Sequence, residues 1–391
     1  MTTTRMNYRP PMNHNPYTPD KPTVSLDAVQ AMRTGMAPCF AVNHTGLDEP
    51  FRGAVQFHGR FLQDSAVCFD TIHAVCEEQD FTPTVNRESD QRVVITAEPG
   101  VIHPQKSKWQ INALLFILTI FSTLITGAIS EAQTPEQIAE YATQLWRGIP
   151  FSASILLILG AHEMGHYLAA RYHKVEVTLP YFIPLPVISP IGTLGAFIQL
   201  KERVKNKRAL LDIGVAGPLA GFVFAVPILF IGLSTSEVGP IVEGGLLEGN
   251  SILYAAMKIL IFGEFLPNGS QDVYLNQLAW AGWVGLLVTG LNLMPVGQLD
   301  GGHITYALWG KKTEQFFMPV LILLGGLAVL SLLIGGALTW LVWWLLIFVF
   351  GRVHAEPLDD VTELDGRRRW IGLITMIIFV LVFVPVPFII L

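Results

Sequence analysis

From residue 108 to the C-terminus the chain is a succession of apolar runs, at 111–129, 149–171, 209–233, 277–296, 316–335, 337–352 and 370–390. Each approaches the roughly 20 residues that a helix needs to cross the hydrocarbon of a bilayer. A backbone in lipid must satisfy its own hydrogen bonds, so such runs fold as helices. The run at 337–352 is short, and the apolar stretch at 252–263 reads equally as a span or an interfacial helix. The chain is 51% hydrophobic and 14% charged, with a mean hydropathy of +0.46, against about 25% charged in soluble domains. A net charge of −6, with a pI near 5.9, gives no sign of nucleic-acid binding. The fold class expected is a polytopic α-helical membrane protein of about six to eight transmembrane helices, embedded in the lipid bilayer and preceded by a small α+β soluble domain.

Residues 1–24 are rich in Pro, Asn and Thr and read as disordered. They hold no apolar core of the kind a signal peptide carries. Residues 25–100 read as the soluble domain. FRGAVQFHGRFL (51–62) alternates as a strand, DSAVCFDTIHAVCEEQ (64–79) has helical spacing, and FTPTVNRES and QRVVITAEP read as two further strands. That β-α-β-β order suggests half of a ferredoxin-like unit. Three cysteines, Cys39, Cys68 and Cys76, show no zinc spacing, which favours a reduced compartment over a disulfide framework. Cys68 and Cys76 fall on the helix and read as buried core thiols.

Charge orients the spans. Segment 171–208 holds Arg171, Lys174, Lys201, Arg203, Lys205, Lys207 and Arg208, and 353–369 ends in Arg367, Arg368 and Arg369. Segments 130–146 and 234–251 hold neither Lys nor Arg. The positive-inside rule puts the basic loops, and with them the N-terminal domain, in the cytoplasm. Seven spans then put the C-terminus outside.

One apolar run contains AHEMGHYLAARYHKVEV, residues 161–177. Ionisable groups inside hydrocarbon are costly and mark a functional site. His162 and His166 are four apart, one turn along one helical face, and can bind the same ion. Glu163 lies beside them and can act on water at that ion. Zinc suits imidazole and carboxylate ligands, and its catalytic sites take three protein ligands. The third is sought in LNLMPVGQLDGGHI (291–304), which sits at the end of another span, at similar depth. Asp300 and His303 are the candidates. Pro295, Gly297 and Gly301-Gly302 unwind the helix there, which is tolerated where backbone lines a cavity. Asn292 is a candidate donor to a substrate carbonyl. GVAGPLAGF (214–222) offers small residues for close helix packing.

These residues resemble the site-2 protease family of intramembrane zinc metalloproteases. The two signatures stand here as His162-Glu163-Met164-Gly165-His166 and as Asn292-x-x-Pro295 followed by Leu299-Asp300-Gly301-Gly302. The resemblance implies one Zn2+ held by His162, His166 and Asp300, with Glu163 as general base and Asn292 as a substrate-polarising group. It implies a transmembrane protein substrate, cleaved near the cytoplasmic face in regulated intramembrane proteolysis. It covers about 108–352, within a metalloprotease domain of 108–391 that includes a re-entrant β-hairpin over 177–200. The GTLGAFI element resembles the branch of plant chloroplast and bacterial members without a PDZ insertion. A metal transporter and a catalytically silent membrane scaffold are the alternatives; intact H-E-x-x-H and the lack of internal repeats favour hydrolysis.

Overall fold

The computed structural model describes residues 23–390, except for 90–91, 102–106, 133, 187–188, 242–245, 334–338 and 352–355. The disorder expected over 1–24 lies, apart from its last two residues, outside the described residues. The N-terminal part runs α1 (Leu26–Met36), β1 (Phe40–Leu47), β2 (Val55–Phe61), α2 (Ser65–Glu77), β3 (Phe81–Ser89) and β4 (Arg92–Pro99). The strands form one antiparallel sheet in the order β1-β2-β4-β3. Asp64 caps α2 by accepting from the Ala66 N–H. Met32, Met36, Cys68, Phe69 and Ile72 of the two helices bury against Phe40, Phe57, Val85 and Ile95 of the sheet. Helix α1 and strand β1 precede the β-α-β-β order read from the sequence. Only Val29, Met32 and Met36 of α1 are buried, too sparse a stripe to announce a helix.

The outer edge of β3 is not left open. The Val85 N–H donates to the Leu358 carbonyl at 2.7 Å, and the Val85 carbonyl accepts from Asp360 N–H at 3.0 Å. On its other side the same segment donates from Leu358 and Asp359 N–H to the carbonyls of Val204 and Lys205, at 2.9 and 2.8 Å. Both pairings are parallel. Asp359 is fully buried, and its carboxylate accepts from the N–H groups of Val361 and Thr362 and from the Thr362 hydroxyl. Two ion pairs flank the seam, Arg208–Asp64 and Lys205–Asp70, each at 2.7 Å. Pairs this exposed contribute little, so the backbone bonds hold the seam.

The membrane part continues with α3 (Trp109–Ile129), α4 (Pro135–Tyr141), α5 (Ile149–Tyr172), the hairpin β5 (Tyr181–Pro184) and β6 (Thr193–Phe197), α6 (Lys207–Ser234), β7 (Glu237–Pro240), β8 (Leu246–Glu248), α7 (Ile252–Phe262) and β9 (Gln271–Tyr274). It ends with α8 (Gln277–Asn292), α9 (Asp300–Trp309), α10 (Phe317–Leu333), α11 (Thr339–Phe350), α12 (Gly366–Val382) and β10 (Phe388–Ile390). Helix α6 lies between α5 and α8, where Phe151, Ile155, Ala225, Leu229, Trp283 and Val284 share one core.

Among the described residues, four helical stretches are long and apolar enough to cross a membrane: Trp109–Ile129, Leu145–Tyr172, Lys207–Ser234 and Asp300–Leu333. This is fewer than the six to eight expected. Helix α8 stops after 16 residues, ahead of Pro295, and α12 is 17 residues long and opens on three arginines. Helix α7, at 11 residues, is about 16 Å long and too short to span; Gly263 ends it in the left-handed conformation.

Helix α3 is polar inside and apolar outside. Asn112, Thr119, Ser122, Thr123 and Thr126 are buried, whereas Ile111, Leu114, Ile117 and Phe121 are exposed. Asn112 Nδ2 donates to the carbonyls of Leu179 and Pro180, and Ser122 Oγ to that of Gly192, so α3 holds both ends of the hairpin. Lipid is as apolar as leucine, so hydrogen bonds and close packing, not burial of carbon, select the interior face.

Burial pushes the Cys68 and Cys76 thiols up to about 12. The thiolate is the reactive form, so neither cysteine should react with iodoacetamide at pH 8 in the folded protein. Both should be labelled in denaturant, as peptide mass spectrometry will read.

Candidate metal centre

Helix α5 carries His162 and His166 on the face turned to α6, with their Nε2 atoms 3.1 Å apart. Asp300, the first residue of α9, brings Oδ2 to 3.3 Å from each Nε2. These are the described His, Cys, Asp and Glu residues that group closely enough to hold a metal ion. A tetrahedral zinc ion with ligand distances of about 2.0–2.1 Å spaces its ligand atoms about 3.3 Å apart. Two imidazoles and a carboxylate at 3.1–3.3 Å therefore fit zinc in spacing and in chemistry. His303, the rival third ligand, lines the cavity wall but lies outside the ligand group.

The surrounding backbone sets the ligands. His166 Nδ1 donates to the Ile213 carbonyl of α6 at 2.7 Å, which leaves its Nε2 lone pair free for a metal. Asn292, at the end of α8, places Nδ2 at 3.4 Å from His162 Nε2. Between α8 and α9 the chain turns at Gly297, which has φ of 59°. The turn is tight: a Cβ on Gly301 would lie 1.9 Å from the Leu293 carbonyl oxygen. Glu163 is buried, 5% exposed, and lines the cavity beside Ile198, just beyond β6. The metal ligands, Glu163, Asn292 and the end of the hairpin line one cavity of about 210 Å³.

Helix α6 makes room for the imidazoles with glycine. A Cβ on Gly217 would lie 2.1 Å from His166 Nε2, and one on Gly221 would lie 3.2 Å from His162 Cβ. In return, a Cβ on Gly165 of α5 would lie 2.4 Å from the Ala216 carbonyl oxygen. The sequence reading assigned GVAGPLAGF to helix packing; the structure shows that the packed partners are the site histidines. The Ile213 carbonyl that orients His166 is not legible in the sequence, because a backbone group carries no residue signature.

Relatives of this chain are named as plant enzymes. "Probable zinc metalloprotease EGY2, chloroplastic" of Arabidopsis thaliana is 27% identical over 94% of this chain and 66% of its own length. "Probable zinc metalloprotease EGY1, chloroplastic" of Oryza sativa subsp. japonica is 32% identical over 74% of this chain and 52% of its own. The chain thus spans about two thirds of the first relative and about half of the second. No solved structure matches.

Replacing Gly217 with alanine should displace the His166 ring and lower zinc affinity by about 10–100-fold, as chelator competition will measure; an equivalent change at Gly160, where a Cβ meets nothing within 4 Å, should leave it intact. Residues 150–333, which contain both signature helices and all three donor side chains, match the description "Peptidase family M50". That match covers just under half of the chain, and with the plant relatives it makes this part of the chain similar to the M50 peptidases, the site-2 protease family.

Proposed function

We propose that the chain is an intramembrane zinc endopeptidase that cuts a transmembrane segment of another membrane protein, in regulated intramembrane proteolysis. One observation carries this reading: three donor atoms 3.1–3.3 Å apart, beside a buried glutamate, inside apolar helices. His162, His166 and Asp300 are the ligands of one Zn2+. The metal supplies a Lewis acid that polarises a carbonyl and activates water at neutral pH.

The chain's own groups do the rest. Glu163, buried in the cavity wall beside Ile198, takes a proton from the attacking water and delivers it to the leaving amine nitrogen. Asn292 Nδ2 donates to the oxygen of the scissile carbonyl. The Ile213 carbonyl keeps His166 in one tautomer. A helical substrate hides its carbonyls in hydrogen bonds and must unwind to be cut. Strand β6, paired on one edge with β5, runs to the cavity and offers backbone to the unwound stretch by β-augmentation.

In the membrane, α8, α11 and α12 join the four longer stretches, for seven spans in a domain of 108–391 with its hairpin at 177–200. The soluble domain of 25–100 faces the cytoplasm, as does the nearby active site. The basic residues of 171–208 and 367–369 support that orientation. So does the C-terminal β10, which pairs with β8 at the opposite end of the helices.

Glu163→Gln should keep zinc at the wild-type level and lose about 10²–10⁴-fold in cleavage of a single-span substrate. Metal analysis beside a gel-based cleavage assay in detergent tests this, and cleavage by the variant at the wild-type rate would overturn the mechanism. Removing zinc with 1,10-phenanthroline should stop wild-type cleavage, and added zinc should restore it.

A further inference from the structure

Helix α7 is built inside out. Its exposed positions are Ile252, Ala256, Ile259 and Leu260, all apolar. They share one face of the helix, and Ile252, Ile259 and Leu260 are 58%, 47% and 74% exposed. Its polar residues, Tyr254 and Lys258, are both fully buried on the other face. A lysine ordinarily lays its stem along apolar surface and keeps its ammonium in water. Here the ammonium turns inward and donates to Glu248 Oε1 at 3.0 Å, Asp272 Oδ1 at 3.2 Å and the Leu266 carbonyl at 3.4 Å. The Tyr254 hydroxyl donates to the same Glu248 oxygen at 2.7 Å. Glu248 and Asp272 are buried as well.

Water does not select such a helix, because it would meet the apolar face and miss the charge. The apolar exposure runs on to Phe265 and stops there; beyond it the loop exposes Asn268, Gly269, Ser270 and Gln271, as a segment in water does. The inner face of α7 packs where two apolar helices end. Tyr254 and Met257 share a core with Leu229 and Leu233, in the last two turns of α6, and with Val382, the last residue of α12. Next to these in the chain, Phe230 and Ile231 of α6 and Val380 of α12 are exposed. The outer face of α7 therefore continues the apolar surface of a helix long enough to cross the membrane. It does so at the end of α6 away from Lys207 and Arg208. At about 16 Å, α7 is about half as long as the hydrocarbon is thick.

We infer that α7 is a half-membrane helix whose outer face docks into the acyl chains of the leaflet away from the N-terminal sheet. It is neither a span nor a helix in water. An unpaired ammonium at that depth is costly, and Glu248 and Asp272 supply its counter-charge inside the protein, which leaves the outer face wholly apolar. The segment between β8 and β9 is thereby tied to the lipid on one side and to the protein on the other. The inference rests on the membrane crossing of α6 and not on the proteolytic reading above.

The test uses full-length protein in phosphatidylcholine nanodiscs, in the variants Ile252→Cys and Leu260→Cys, each labelled with an NBD fluorophore. Both positions are exposed, and Cys39, Cys68 and Cys76 are buried, so the label goes to the introduced thiol. Ile231→Cys on α6 is the reference for lipid and Ser270→Cys the reference for water. A lipid nitroxide placed near the start of the acyl chain should remove about half or more of the emission at 252 and 260, as at 231, because an apolar helix face sits about 5–10 Å into the acyl boundary. Aqueous iodide should quench the label at 270 and leave those three bright. If 252 and 260 follow 270 instead, α7 lies in water and the inference falls. If neither quencher reaches them, protein covers the face, from a second copy or another chain, and the inference falls as well.

Discussion

The close approach of α5 to α6 is the contact on which the rest of the structure depends. Gly165 lets the Ala216 carbonyl come near α5, and Gly217 and Gly221 leave the space that the two imidazoles fill. Glycine inside a helix costs about 1 kcal/mol each relative to alanine. Here that cost secures two things at one surface: van der Waals packing, which drives helix association in lipid, and a fixed direction for the ligand rings. The Ile213 carbonyl, still bonded to His166, rides on the same helix. Packing and coordination are therefore one interface, and a change in either is felt by both.

From that interface the polar groups sort themselves by partner. A polar side chain at membrane depth needs a hydrogen bond inside the protein. Helix α3 meets this with a buried polar face that grips the hairpin through Asn112 and Ser122. Thr123 and Ser152 close the α3–α5 contact with a hydroxyl pair at 2.7 Å. The stretch from Leu179 to Lys205 consequently touches α3, the metal centre and, at Val204 and Lys205, the seam below β3. The described residues of that stretch tie the three regions together.

Much of this was legible in the sequence, and the reasons are physical. His162 and His166 were readable because a four-residue spacing fixes a helical face, and the polarity of HEMGH inside an apolar run needs a cause. Asp300 was readable as one of two candidates; geometry separates it from His303, which is only three residues away and on the same short helix. Only four of the expected spans stand out by helix length, because an apolar run does not show where its helix ends, and α8 stops ahead of Pro295. Helix α1, strand β1 and the seam were not legible. The seam joins Val85, Val204 and Leu358, residues far apart in the chain, through main-chain groups that every residue possesses.

That seam also orders the birth of the protein in time. Val85 leaves the ribosome about 270 residues before Leu358, its partner at the sheet edge. At about 5–20 residues per second that interval lasts roughly 14–55 s. Throughout it the edge of β3 has no strand beside it, and an unpaired edge is a template for other chains. The N-terminal sheet is thus finished late, by the loop ahead of α12, and its closure can come only after α3 to α11 have been made.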